Sequence, residues 1–257
     1  MTFSTQWDHY WQKPAFYWPL LIAFAAATPL AFAPYYHFWL MPLLFGGLIR
    51  LIELRPNRAV RSAYLFGLVA YTCQFYWIHT ALHDVSGLPN LFALPLTLLL
   101  PACLACFPAA AFWLWSKLQL PRWLSIGLAL PILWTLFEFA RERVLTGFGW
   151  GALGYSQIAD NSPLAGFAPL GGIHLVTLCT AFIGAWLVLA VNPEQAKSRL
   201  RLSTFAMMLF LLAGGYLLRQ IPFTKPDSSS ATVALIQGNI PQTLKWNEEQ
   251  IRPTIQH

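Results

Sequence analysis

Gly171-Gly-Ile-His-Leu-Val-Thr-Leu-Cys-Thr-Ala-Phe-Ile-Gly-Ala-Trp-Leu-Val-Leu-Ala-Val191 runs for 21 residues without Asp, Glu, Lys or Arg. At about 1.5 Å per residue such a helix spans roughly 30 Å, the hydrocarbon thickness of a bilayer. Six further apolar runs lie along the chain: Phe16–Ala33, Phe38–Ile52, Ala63–Leu82, Leu91–Leu118, Trp123–Ala140 and Leu202–Leu218. The composition agrees. Apolar residues make up 57% of the chain and charged residues 10%, where soluble domains carry about 25% charge. A chain so poor in charge cannot cover its surface for water, and in lipid each run must satisfy its own backbone, which requires helices. The predicted fold is an all-α polytopic membrane domain of about seven transmembrane helices over residues 1–218.

The flanks refine this picture. The second run is short unless Arg50 and Glu53 snorkel to the interface. The fourth holds Pro95, Pro101 and Pro108, each lacking a backbone donor, which predicts a kinked or broken helix. Ala31-Phe32-Ala33 mimics a signal-peptidase site, but Lys13 alone is basic ahead of the run and Pro34 follows it, so the first run is expected to stay. Arg55, Arg58 and Arg61, then Lys117 and Arg122, then Lys197, Arg199 and Arg201 fall in alternate loops. By the positive-inside rule those loops and the N-terminus are cytoplasmic, and residues after Arg219 face the opposite side. The net charge of +6 is thus spent on topology. No basic stripe with interleaved aromatics points to nucleic acid.

Beyond Leu218 the composition changes. Residues 219–230 hold Pro222, Pro226, Asp227 and three serines, the composition of a linker. Thr232-Val-Ala-Leu-Ile-Gln-Gly follows, a continuous apolar run expected of a strand buried on both faces of an α/β layer. Eleven residues follow Trp246, too few for such a domain to bury a core. Residues 231–257 are expected to begin a soluble domain that this stretch does not complete.

Few side chains suggest chemistry. Cys103 and Cys106 form a C-x-x-C without a second ligand pair, and they are expected to be small packing residues of a helix. His79 and His83 share a helix face beside Asp84, but a metal centre needs further ligands, and plain interfacial histidines are expected. Glu138 and Arg141 are different. Ionisable groups near membrane depth cost about 2.5–3.5 kcal/mol on insertion scales. The i,i+3 spacing allows a salt bridge that offsets part of this. Such a pair either ends the helix or lines a cavity, and both readings stand. Gly147 to Gly172 is rich in glycine and aromatics, including Trp150 and Tyr155. Aromatic rings of this kind settle at the headgroup level, forming either an ordinary interfacial loop or a rim that grips a lipid headgroup.

Three blocks then resemble the bacterial apolipoprotein N-acyltransferase family: Leu30-Ala-Phe-Ala-Pro34; Glu138-Phe-Ala-Arg141 with Thr146-Gly-Phe-Gly-Trp150, Gly154-Tyr-Ser-Gln157 and Pro163-Leu-Ala-Gly166; and Gln237-Gly-Asn-Ile-Pro-Gln-Thr-Leu-Lys-Trp246. Glu142 and Gly149 stand where the family typically has glycine and proline. The resemblance implies a helical membrane domain joined to a nitrilase-like α/β domain whose first strand starts at 231. It implies transfer of an acyl chain from a phospholipid donor to the N-terminal cysteine amine of a diacylglyceryl lipoprotein acceptor, in the bacterial inner membrane, without a cofactor or metal. The family's Glu-Lys-Cys triad matches no residue up to His257, so no catalytic residue is assigned and the stretch alone is expected to be inactive. Trp246, Glu138, Arg141, Trp150 and Tyr155 match its signature positions and are the candidate substrate-binding residues. A non-enzymatic transporter or lipid-binding scaffold is the competing expectation.

Overall fold

The computed structural model describes residues 12–144, 146–159, 161–191, 198–225, 232–235 and 237. Its regular elements are all helical: α1 (Pro14–Ala26), α2 (Leu40–Leu54), α3 (Ala59–Gln74), α4 (Asn90–Leu104), α5 (Cys106–Lys117), α6 (Leu130–Arg141), α7 (Ala168–Val191) and α8 (Ser198–Leu218), with short 3-10 and π turns between them. No strand occurs among the described residues. Thr232–Leu235 and Gln237 carry no regular structure, and the rest of the expected strand lies outside the described residues. Among the described residues, five helical stretches are long and apolar enough to cross a membrane: Pro14–Ala31, Asn90–Lys117, Arg122–Arg141, Pro163–Val191 and Arg201–Leu218. At 15 and 16 residues, α2 and α3 fall short, reaching only about 22–24 Å at 1.5 Å per residue.

The chain divides into two units, Met1–Phe75 with Leu100–Ile221, and Tyr76–Leu99 with Pro222–His257. The core of the first unit is built by Tyr17 and Leu21 of α1, Phe45, Leu48 and Ile49 of α2, Phe66 of α3, Phe112 of α5, Trp134 of α6, and Val176 and Trp186 of α7, all buried. Trp134 is the aromatic hinge of this core, edge-on to Phe45 at 4.9 Å and to Phe112 at 6.4 Å. The outer face carries exposed apolar side chains, among them Leu202, Leu209 and Phe210 of α8. Such a continuous apolar exterior suits lipid as solvent.

Prolines and glycines explain the irregularities. Pro108 cannot donate to the carbonyl of Leu104, and the helix breaks one residue later, at Ala105, between α4 and α5. Pro131 likewise cannot donate to Gly127. That stretch forms a π turn over Ser125–Ala129, and the Gly127 carbonyl instead accepts the Trp186 indole N–H at 2.9 Å. In α7 the regular helix starts only after Gly171 and Gly172; Gly172 has φ 61° and ψ −159°, a conformation closed to residues with a Cβ. Gly46 of α2 and Gly184 of α7 let two backbones approach. A Cβ on Gly46 would lie 2.8 Å from the Gly184 carbonyl, and one on Gly184 would lie 2.7 Å from the Pro42 carbonyl. Small residues at such crossings are how membrane helices gain close contact without a hydrophobic driving force.

In the second unit, Trp77–Thr80 and a π turn at Ala81–Val85 precede the start of α4. The His79 and His83 rings lie 5.4 Å apart. His79 bonds Asn90 through Nε2 at 3.0 Å, and His83 bonds the Leu88 carbonyl through Nδ1 at 2.8 Å. Both rings are held by local hydrogen bonds.

Candidate functional site

The C-terminal turn of α6 organises the site. Glu138 and Arg141 are 5% and 1% exposed, and they do not form the salt bridge that their spacing allows. Each reaches instead into the loop that follows. The Glu138 carboxylate accepts four bonds: Trp134 Nε1 at 2.9 Å, Leu153 N at 3.0 and 3.1 Å to its two oxygens, and Thr177 Oγ1 at 3.1 Å. Arg141 Nη1 donates to the carbonyls of Phe148 at 3.0 Å and Trp150 at 2.7 Å. Its guanidinium lies 5.3 Å from the Tyr71 ring centroid. The physical reason is satisfaction. The loop carries backbone groups that α6 cannot reach, and a buried unpaired backbone group costs about as much as a lost hydrogen bond. The anionic side chain serves the loop's N–H, and the cationic one serves its C=O groups.

The loop is thereby pinned along its length. Phe148 packs edge-on against Phe75 at 5.0 Å. The Gly154 N–H donates to Thr177 Oγ1 at 3.0 Å, chaining the loop, α7 and Glu138 together. Gln157 closes the far end. Its amide donates to the Phe38 carbonyl at 3.0 Å, and its oxygen accepts from Ser162 Oγ at 2.7 Å. Arg219 Nη1 donates to the Ser162 carbonyl at 3.2 Å. At the start of the loop, Glu142 pairs with His174 Nε2 of α7 at 2.7 Å.

Among the described residues, two small cavities adjoin the pair. One of about 20 Å³ is lined by Thr28, Tyr71, Gln74, Trp134, Glu138 and Leu153, among others. The other, of about 10 Å³, touches Tyr71, Trp134, Glu138 and Arg141. Both are of single-water size, far too small for an acyl chain or a headgroup. Among the described residues, Glu138 and Arg141 line no ligand-sized space, and both hold the loop by hydrogen bonds. The side chains the loop presents outward are Trp150, 58% exposed, and Tyr155, 36% exposed. Of the five candidate residues, the structure gathers Glu138, Arg141, Trp150 and Tyr155 on one loop and helix end, while Trp246 lies outside the described residues.

The sequence alone did not single out Tyr71, Trp134, Thr177 or Gln157 as partners. The signal for Thr177 was a polar residue inside the apolar run 171–191, and for Gln157 an amide inside an aromatic loop. Cys103 of α4 and Cys106 of α5 are exposed free thiols on either side of the break at Ala105, where packing residues of a helix were expected. No group of His, Cys, Asp or Glu able to hold a metal ion occurs among the described residues.

Residues 24–186 match the family model described as Apolipoprotein N-acyltransferase N-terminal domain. The chain belongs to this family. Proteins named apolipoprotein N-acyltransferase are similar to it over nearly its whole length. That of Neisseria meningitidis serogroup B is 72% identical over 249 residues, covering 97% of this chain and 48% of the relative. That of Chromobacterium violaceum is 46% identical, covering 92% and 46%, and that of Vibrio cholerae is 39% identical, covering 92% and 46%. The chain spans about half the length of the relatives it matches. The loop from Gly147 to Gln157 lies within the family match, so the Glu138 and Arg141 anchors belong to the apolipoprotein N-acyltransferase N-terminal domain itself.

Proposed function

We propose that this chain is the membrane platform of an apolipoprotein N-acyltransferase of the bacterial inner membrane. It positions a phospholipid acyl donor and a diacylglyceryl lipoprotein acceptor for a Glu-Lys-Cys triad carried C-terminal to His257. The observation that carries the reading is the pinned loop: two buried charges fix a backbone segment whose exposed residues, Trp150 and Tyr155, are ring-and-polar-tip side chains. Such side chains sit where hydrocarbon meets headgroups. Rigid support of a contact surface is what precise substrate placement requires. In this reading α2 and α3 also cross the bilayer, giving seven spans, with the N-terminus cytoplasmic and residues after Arg219 periplasmic. Residues from Ala231 then begin the nitrilase-like domain, and Trp246 is a substrate-binding residue of it.

The reaction divides one acyl transfer into two steps. A cysteine thiolate takes the acyl group from the phospholipid as a thioester, releasing the lyso-lipid, and the lipoprotein amine then takes it from the cysteine. Residues 1–257 contribute binding and orientation to both steps. A chimera tests this: residues 1–257 replace the matching half of the meningococcal relative, and N-acylation of a diacylated lipopeptide is followed by mass spectrometry. Retained transfer supports the platform, and a folded but inactive chimera sinks it. The 257-residue chain by itself is expected to give no triacylated product. Reporter fusions at Gly87 and Asp227 are both expected on the non-cytoplasmic side, and a cytoplasmic Asp227 overturns the seven-span topology.

A further inference from the structure

At the opposite end of the helices from the pinned loop lies a second cluster. Arg55 closes α2, Arg58 precedes α3, and Arg61 stands in its first turn. All three guanidinium groups gather over two adjacent rings of α1. Arg55 lies 5.1 Å from the Tyr17 centroid, while Arg58 and Arg61 lie 5.8 and 5.4 Å from that of Trp18. Tyr17 is buried and held by a 2.6 Å hydrogen bond to Ser62 of α3, so the aromatic floor is fixed. Among the described residues no carboxylate pairs with these arginines. Glu53, nearby in sequence, is engaged by Arg122 at 2.7 and 2.9 Å and by Arg50 at 3.7 Å.

Three like charges in one cluster repel one another, and two of them stand at the positive end of the α3 dipole, with no acidic residue in its first turn. A guanidinium lying over a ring still carries five N–H donors, which suit the oxygens of a phosphate. One turn beyond Trp18, on the same face of α1, lies the exposed side chain of Ile22, an apolar track at the start of a membrane span.

We propose that Arg55, Arg58 and Arg61, lying over the Tyr17 and Trp18 rings, form a binding site for the headgroup phosphate of an anionic phospholipid. Its acyl chains lie along the exposed face of α1. The track of apolar side chains selects a lipid over free phosphate, and basic pockets at helix ends are established binders of anionic headgroups in general. Resting on the proposed contact of Trp150 with the acyl donor, this lipid is a second one, since the cluster lies at the other end of the helices from Trp150.

Native mass spectrometry of the purified chain, titrated with phosphatidylglycerol, phosphatidylcholine or glycerol phosphate, tests the site. Retention of phosphatidylglycerol is expected to exceed that of phosphatidylcholine at least tenfold and to weaken with salt. Glycerol phosphate is expected not to compete at equal concentration. Arg58→Gln is expected to lower retention at least fivefold. Lys117→Gln, which removes a charge at the same membrane end but off the cluster, is expected to change it less than twofold. Equal losses in both variants, equal retention of the two lipids, or full competition by glycerol phosphate each overturns the proposal. Because Arg58→Gln can disturb folding, a photoreactive phosphatidylglycerol is also cross-linked to the wild-type chain. Adducts on residues 14–22 or 55–61 support the site. Adducts confined to residues 115–125 or 147–157 overturn it.

Discussion

The N–H of Leu153 points between the two carboxylate oxygens of Glu138, 3.0 Å from one and 3.1 Å from the other, across 15 residues of sequence. A helix-borne charge thus takes over a loop amide that has no backbone partner of its own. Trp134 and Thr177 donate to the same carboxylate.

Replacing Glu138 by Leu leaves those donors buried and unpaired. Each orphaned donor costs about 1–3 kcal/mol, so the variant is expected to unfold at a markedly lower temperature in detergent. Glu138→Gln keeps one acceptor oxygen and is expected to lose less than half as much. Thermal unfolding followed by intrinsic tryptophan fluorescence ranks the two, and equal stability of Leu and wild type refutes the anchoring role.

Arg141 serves the loop locally. Hydrogen bonds to a charged group contribute about 1.5–3 kcal/mol, and each 1.4 kcal/mol is tenfold in an opening equilibrium. Arg141→Met is expected to speed amide hydrogen exchange of residues 148–154 by about 10- to 100-fold while α2 and the body of α7 change little. Uniform acceleration across all helices argues for global loosening and against a loop clasp.

The surroundings of two glycines, Gly184 at the α2–α7 crossing and Gly214 on α8, predict opposite outcomes. Gly184→Ala drives a Cβ against the Pro42 carbonyl at 2.7 Å, and since that atom is backbone the helices must separate. A loss of about 1–3 kcal/mol is expected. At Gly214 of α8 the nearest atom to a new Cβ is Phe167 Cζ at 3.7 Å, an ordinary contact. There alanine is expected to be neutral or to stabilise by up to about 1 kcal/mol through helix propensity. Chemical unfolding in mixed micelles distinguishes the pair.

Trp150 separates contact from support. Its ring is exposed while its carbonyl is held by Arg141, so Trp150→Ala is expected to leave stability unchanged. In the active chimera it is expected to lower acyl transfer by about tenfold, equivalent to about 1.4 kcal/mol. An unchanged transfer rate removes Trp150 from the substrate surface.

The membrane character was legible without coordinates, because an apolar run the length of a bilayer leaves the backbone one way to satisfy itself. The break in the fourth run was legible for the same kind of reason, as Pro108 withholds a donor wherever it stands. The signature from Glu138 to Gln157 marked the loop, and Trp150 and Tyr155 were recognisable by their amphipathic rings. The partners were not legible. The spacing of Glu138 and Arg141 favours a local ion pair, yet both turn outward to the loop, since buried backbone groups there had stronger claims than a bond between neighbours.

Composition and periodicity determined the solvent, the helical class and the segments of this chain, because those follow from one-dimensional patterns. Tertiary structure alone decided which charges became supports and which rings became surface. It also decided where two glycines let helices meet and where three arginines share an aromatic floor. Those outcomes depend on distances between residues tens of positions apart, which only packing brings together.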